Sequence, residues 1–184
     1  MKSITLLLSF TFLACIAFSQ DSLWTKKQVS EILSFNIPSN FSTSQILFVQ
    51  EYNGEEGDYV YVVRHYDTTM KVESEERFKV SLIGFVDGML QDSSLAGYKI
   101  IINDTSIGST KGLFVKLNSR GNQSTFKHIY FYVTIANGHF YVFNALSQAT
   151  VEKSSQINLF FQSILFDPKK INESSYSFNF RFEN

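Results

Sequence analysis

Apolar and polar positions follow a helical period most clearly between Val72 and Gln91, V-E-S-E-E-R-F-K-V-S-L-I-G-F-V-D-G-M-L-Q. Phe78, Leu82, Phe85, Val86 and Met89 share one helical face, and Glu73, Glu75, Glu76, Arg77 and Lys79 crowd the first turns. The spacing predicts an amphipathic helix opened by the polar D-T-T at Asp67, its apolar stripe lying on a sheet. Gly84 and Gly88, four apart, suggest a close backbone approach to a neighbour. A second helix is predicted from about Thr150 to Leu165, with Ile157, Phe160, Phe161, Ile164 and Leu165 on one face and Asp167-Pro168 as its stop.

Elsewhere the period is that of strands. Ser30 to Pro38 alternates at Leu33, Phe35 and Ile37 and ends on its proline. Ile46 to Tyr52 and Tyr59 to Tyr66 flank N-G-E-E-G-D and predict a hairpin. Tyr98 to Asn103, Gly112 to Asn118, His128 to Ala136 and Phe140 to Ser147 follow, separated by N-D-T-S-I-G, N-S-R-G-N-Q-S and the strong turn signal Asn137-Gly138. Tyr176 to Phe182, Y-S-F-N-F-R-F, alternates strictly and reads as a last strand that adds to a sheet edge, of its own domain or of a partner chain. Strands joined by short turns with two helices between them predict an α+β fold, a mostly antiparallel sheet of about six to eight strands carrying both helices.

The N-terminus changes the picture of compartment. Lys2, an apolar run from Ile4 to Phe18, and the small residues Ala17 and Ser19 have the form of a secretory signal peptide over residues 1–19, cut before Gln20. The alternatives are a lipoprotein tethered at Cys15 and an uncleaved anchor, the run being shorter than the ~20 residues a span needs. The expected mature chain, residues 20–184, is one domain of net charge −2 with no thiol. Such a balance argues against nucleic acid, and the missing thiol excludes disulfides and cysteine-based zinc sites. No later apolar run is long enough to span a bilayer. Nineteen Phe and nine Tyr supply a large core.

Candidate chemistry is sparse. His65, His128 and His139 sit in or beside separate strands without metal-ligand spacing, and no G-x-S-x-G elbow exposes a serine. G-E-E-G-D, with Glu55, Glu56 and Asp58, lacks the ligand spacing of a calcium loop, and S-I-G-S-T-K-G lacks that of a phosphate loop, so both read as turns. Catalytic, cofactor and metal residues are therefore all assigned as none. Asn40, Asn103, Asn122 and Asn172 head N-x-[ST] sequons, expected in surface loops if the source glycosylates them.

Taken in order, S-F-N-I-P, the central amphipathic helix, N-G-H-F-Y-V-F and N-L-F-F-Q-S-I-L-F resemble the PsbP-like α/β/α sandwich over roughly residues 29–167. The usual tryptophan after the proline is replaced by Phe41, and Tyr176 to Phe182 lies outside the match. The resemblance implies a secreted or periplasmic binding or assembly factor without catalysis, acting on an unknown protein partner. The aromatic excess raises a second reading, a carrier of a small apolar ligand in an internal pocket, and a hydrolase with a spatially assembled site is a third.

Overall fold

A computed structural model describes residues 24–68, 71–121, 124–151 and 154–171. The segments read as signal peptide and as C-terminal strand, and the sequons at Asn122 and Asn172, lie outside the described residues. Among the described residues, ten strands form two antiparallel sheets. The strands are β1 (Trp24–Gln28), β2 (Leu33–Pro38), β3 (Ser42–Ile46), β4 (Val49–Glu56), β5 (Tyr59–Tyr66), β6 (Tyr98–Ile107), β7 (Thr110–Ser119), β8 (His128–Ala136), β9 (His139–Ser147) and β10 (Leu165–Phe166). Seven make one sheet in the order β3-β4-β5-β9-β8-β7-β6, and β1-β2-β10 make a smaller one. The helices are α1 (Glu75–Leu90) and α2 (Ser154–Gln162).

The α+β, largely antiparallel expectation holds, and the differences are local. Helix α1 starts later than its D-T-T signal: Ser74 is the cap, accepting a hydrogen bond from the Arg77 backbone N–H at 3.2 Å. That cap satisfies an N–H of the first turn and leaves Glu75 and Glu76 on the positive end of the helix dipole. Gly84 and Gly88 are exposed with nothing within 4 Å of an added Cβ, so they permit no close approach. Helix α2 ends at Gln162, ahead of its proline, because Leu165 and Phe166 leave the helix to pair with Ser34 and Leu33 of β2. Leu165, read as part of the buried stripe, is exposed in consequence.

The first hairpin is tighter than expected. Strands β4 and β5 run through N-G-E-E and turn at Gly57-Asp58, Gly57 having φ +57°. Strand β6 likewise continues through Asn103 to a turn at Gly108-Ser109, so the Asn103 sequon sits in a strand and not in a loop. Asn40 does lie in a turn. Register aligns Ile46, Val49, Tyr66, Phe140 and Ile135 in one row. The turns at Leu47-Phe48 and Asn137-Gly138 therefore share one end of the large sheet, and the β6–β7 turn lies at that end too.

Alternation of side chains gives the large sheet two apolar faces. One buries Tyr52, Tyr61, Tyr132, Tyr141 and Phe143 beneath the small sheet and the Phe160, Phe161 and Ile164 stripe of α2. The small sheet crosses the large one at Gly54, where a Cβ would stand 2.8 Å from Cγ1 of Ile37 and 3.0 Å from Cδ of Pro38. The opposite face buries Leu113, Val115, Leu117, Phe131, Val133 and Val142 beneath Phe78, Leu82 and Val86 of α1. Phe85 and Met89 are only partly buried at the rim of that layer. Helix α1 covers β7, β8 and part of β9 and reaches β5 only at Tyr66, whose ring meets Phe85 edge-on at 5.2 Å, which leaves its side of β3, β4 and the rest of β5 without a described helix.

Candidate functional site

That uncovered area, together with the part of β7, β8 and β9 beyond the C-terminal end of α1, forms the candidate binding face. A cleft of about 810 Å³ opens where α1 stops, floored by Arg64, Asn144, Leu146, Ile129, Phe131 and Leu117 and walled by Met89, Leu95 and the 124–126 loop. The loop is anchored by Tyr98, whose hydroxyl donates to the Phe126 carbonyl at 2.7 Å. A second hollow of about 260 Å³ continues toward the β3–β4 turn, lined by Ser44, Ile46, Leu47, Phe48, Val49 and Glu51. Arg64 and Tyr66 line both hollows, which makes them one groove across the open face. This groove is open to solvent, where an internal pocket was expected for the apolar-carrier reading.

Arg64 is the one cation on the groove's floor, and it is neutralised. Its Nε lies 2.5 Å from Oε2 of Glu51, its cross-strand partner, and Asn53 Nδ2 donates to Oε1 of the same carboxylate at 2.7 Å. Burial acts to raise the Glu51 pKa, but the hydrogen bonds from Asn53 and Arg64 and the arginine charge outweigh it and hold the group below its ordinary value. The Tyr66 hydroxyl is pushed up, chiefly by burial. The groove thus combines aromatic and aliphatic walls with one satisfied ion pair and, at its α1 end, the polar side chains of Asp92, Ser124, Thr125 and Asn144, a composition suited to recognition by apolar contact with a few polar anchors.

At its outer end the groove meets three consecutive apolar residues in water. Ile46, Leu47 and Phe48 are 70%, 85% and 54% exposed. Leu47 also holds φ +54°, in the left-handed region that disfavours a leucine. Its counterpart at the same end of the sheet is built the usual way, with Asn137 at φ +52° and Gly138 at φ +82°. The Leu47-Phe48 turn carried no Gly, Asn or Pro, and for that reason both the turn and β3 escaped the sequence reading. Glu51 and Arg64 escaped it as well, their pairing depending on the exact turn that sets register.

The histidines weighed as metal or acid/base candidates divide between the two ends of the other face. His65 and His139 come together, ring centroids 5.3 Å apart, and His65 stacks on Tyr141 at 4.8 Å with the planes 3° apart. Asp67 Oδ1 lies 3.2 Å from His139 Nδ1, within ion-pair distance but poorly aligned for a hydrogen bond. His128 is at the opposite end of the sheet, its Nδ1 2.9 Å from Asn118 Oδ1. Among the described residues no group of three or more His, Cys, Asp or Glu is placed to hold a metal ion. Glu55, Glu56 and Asp58 flank the β4–β5 turn, and Glu56 accepts a hydrogen bond from Trp24 Nε1 at 3.1 Å. No described helix is long and apolar enough to cross a membrane.

Compared with solved structures, the chain is similar to the solution structure of cyanobacterial PsbP (CyanoP) from Synechocystis sp., with a TM-score of 0.55 and 12% identity over 81% of this chain and 95% of that one. The fold is PsbP-like. No family model matches the chain, and no curated protein matches it in sequence. At 12% identity the likeness carries the architecture alone.

Proposed function

We propose that this protein is an exported, non-catalytic binding and assembly module that docks a partner protein on the open face of its large sheet. The observation that carries the reading is the strained apolar tip. A leucine held at φ +54° costs about 1–2 kcal/mol relative to ordinary backbone, and its side chain gains nothing from the fold. The two-residue β3–β4 turn needs a positive φ at this position, which Gly or Asn supplies without strain, so an exposed leucine placed there supports a role in recognition. Ile46 and Phe48 extend the apolar surface into the groove, whose walls supply further aromatic and aliphatic contact. The export half of the proposal rests on the pattern of residues 1–19, and intact-mass measurement of native protein tests it: a start at Gln20 supports it, and a lipidated Cys15 makes the module a tethered lipoprotein.

The test of docking compares wild type with Leu47→Gly and Phe48→Ser as immobilised baits in extracts of source cells. Both variants keep the wild-type circular dichroism spectrum, and one protein retained by wild type is lost from both. Retention of the same proteins by all three baits overturns the reading. The cleft of about 810 Å³ favours a second reading, an apolar small molecule bound on the face. Mass spectrometry under native conditions distinguishes it by a bound mass that extraction with organic solvent removes.

A further inference from the structure

The large sheet has a second exposed boundary, and it is long. Strand β6 runs ten residues, Y-K-I-I-I-N-D-T-S-I, and hydrogen-bonds on one side only, to β7. Its other side presents a row of backbone N–H and C=O groups without a described strand beside it. Ile100 and Ile101, on opposite faces of the strand, are 42% and 36% exposed. Long, apolar edges of this sort invite pairing with other chains, and native proteins shorten, charge or cover them. This edge carries two charges, Lys99 and Asp104, but neither a proline nor a bulge, and its register with β7 is unbroken from Tyr98 to Ile107.

We propose that residues 176–182 of the same chain cover that edge, adding antiparallel to β6 as an eighth strand of the large sheet. The described chain ends at Ile171, and Lys170 just before it accepts a hydrogen bond from Asn137 Nδ2 at 2.7 Å in the β8–β9 turn. The exit therefore lies at the end of the sheet where β6 finishes. From β8 to a strand outside β6 is three strand spacings, about 14 Å, with β7 and β6 between. The five steps from Ile171 to Tyr176 span at most about 17 Å, so the segment reaches this edge. The other edge, β3, needs four spacings from β9, about 19 Å, and is out of reach in the same chain.

Direction agrees with reach. Strand β6 runs toward the exit, so a segment descending from it is antiparallel without a crossover. The strict alternation of Tyr176, Phe178, Phe180 and Phe182 against Ser177, Asn179 and Arg181 gives the segment one apolar side to lay along one packed layer and one polar side for solvent, as suits a strand at the margin of the sheet.

Nuclear Overhauser contacts and amide exchange in the full chain test this. Cross-strand contacts between backbone protons of 176–182 and those of 98–107 are expected. So is slow exchange in both segments, with protection of 98–107 falling at least tenfold in a Phe178→Ser, Phe180→Ser variant that keeps the native spectrum elsewhere. Truncation after Ile171 should give the same loss in 98–107. Fast exchange throughout 176–182 in the wild type overturns the proposal. So does a concentration-dependent dimer whose cross-strand contacts vanish on dilution, since the segment then serves a second copy.

Discussion

Tyr132 lies flat across Gly112: a Cβ on that glycine would stand 2.7 Å from Cε2 of the tyrosine ring and 2.3 Å from the Val133 carbonyl oxygen. The ring uses the bare backbone to send its hydroxyl to the Thr110 carbonyl at 2.7 Å, which satisfies a buried donor. Burial pushes that hydroxyl's pKa far up, so it remains a donor at any ordinary pH. Gly112→Ala meets a backbone atom that cannot swing aside, and we expect a loss of about 1–3 kcal/mol. Denaturant unfolding measures it, and a stability equal to wild type contradicts the close approach.

Burial of the two helices separates their phenylalanines. Phe160 is fully buried, 5.0 Å from Tyr61 and 5.1 Å from Phe161 between ring centroids. Phe160→Ala should cost about 3–5 kcal/mol. Phe85 stacks on Phe140 at 4.5 Å but is only half-buried at the rim of α1, so Phe85→Ala should cost about half as much or less. Equal losses for the two variants would show that α1 sits deeper on the sheet than described.

The His65 imidazole is held below the ordinary histidine value, first by burial and then by His139, with Asp67 pulling the other way. A depressed pKa means the unfolded chain binds the proton more readily, so stability rises with pH through the window. The contribution is complete above about pH 6.5 and is lost as pH falls below that toward the folded value. His65→Phe keeps the stack on Tyr141 and removes the titration. Between pH 7 and 5 the wild type should lose more stability than the variant, measured by melting temperature in matched buffers. Identical pH profiles would assign the acid sensitivity elsewhere.

Legibility followed the length and purity of each pattern. Helix α1, β5, β8 and β9 were readable because their periods run for two turns or more, or between strong turn signals such as Asn137-Gly138. Strand β1 was hidden by its polar T-K-K, and β10 by being two residues inside an apparent helix tail. Gly54 read as a turn glycine, although it is a strand position emptied for Ile37, and Gly112, read as the start of a strand, gave no sign that it is emptied for Tyr132. The groove was hidden for a different reason. Alternation tells which residues share a face of a strand but not how far a helix extends over it, and Arg64 becomes part of a site only because α1 stops short.

Leu47→Gly is the most direct probe of the central claim, since strain relief and loss of contact act on different observables. Glycine removes the left-handed penalty of about 1–2 kcal/mol but adds unfolded-chain freedom of roughly 0.5–1 kcal/mol, so the variant should be as stable as wild type or slightly more so. Its affinity for the partner retained by the wild-type bait, measured by titration of the purified pair, should fall at least tenfold. A variant that loses stability yet binds the partner unchanged would mean that Leu47 serves the fold, and would contradict docking at this tip.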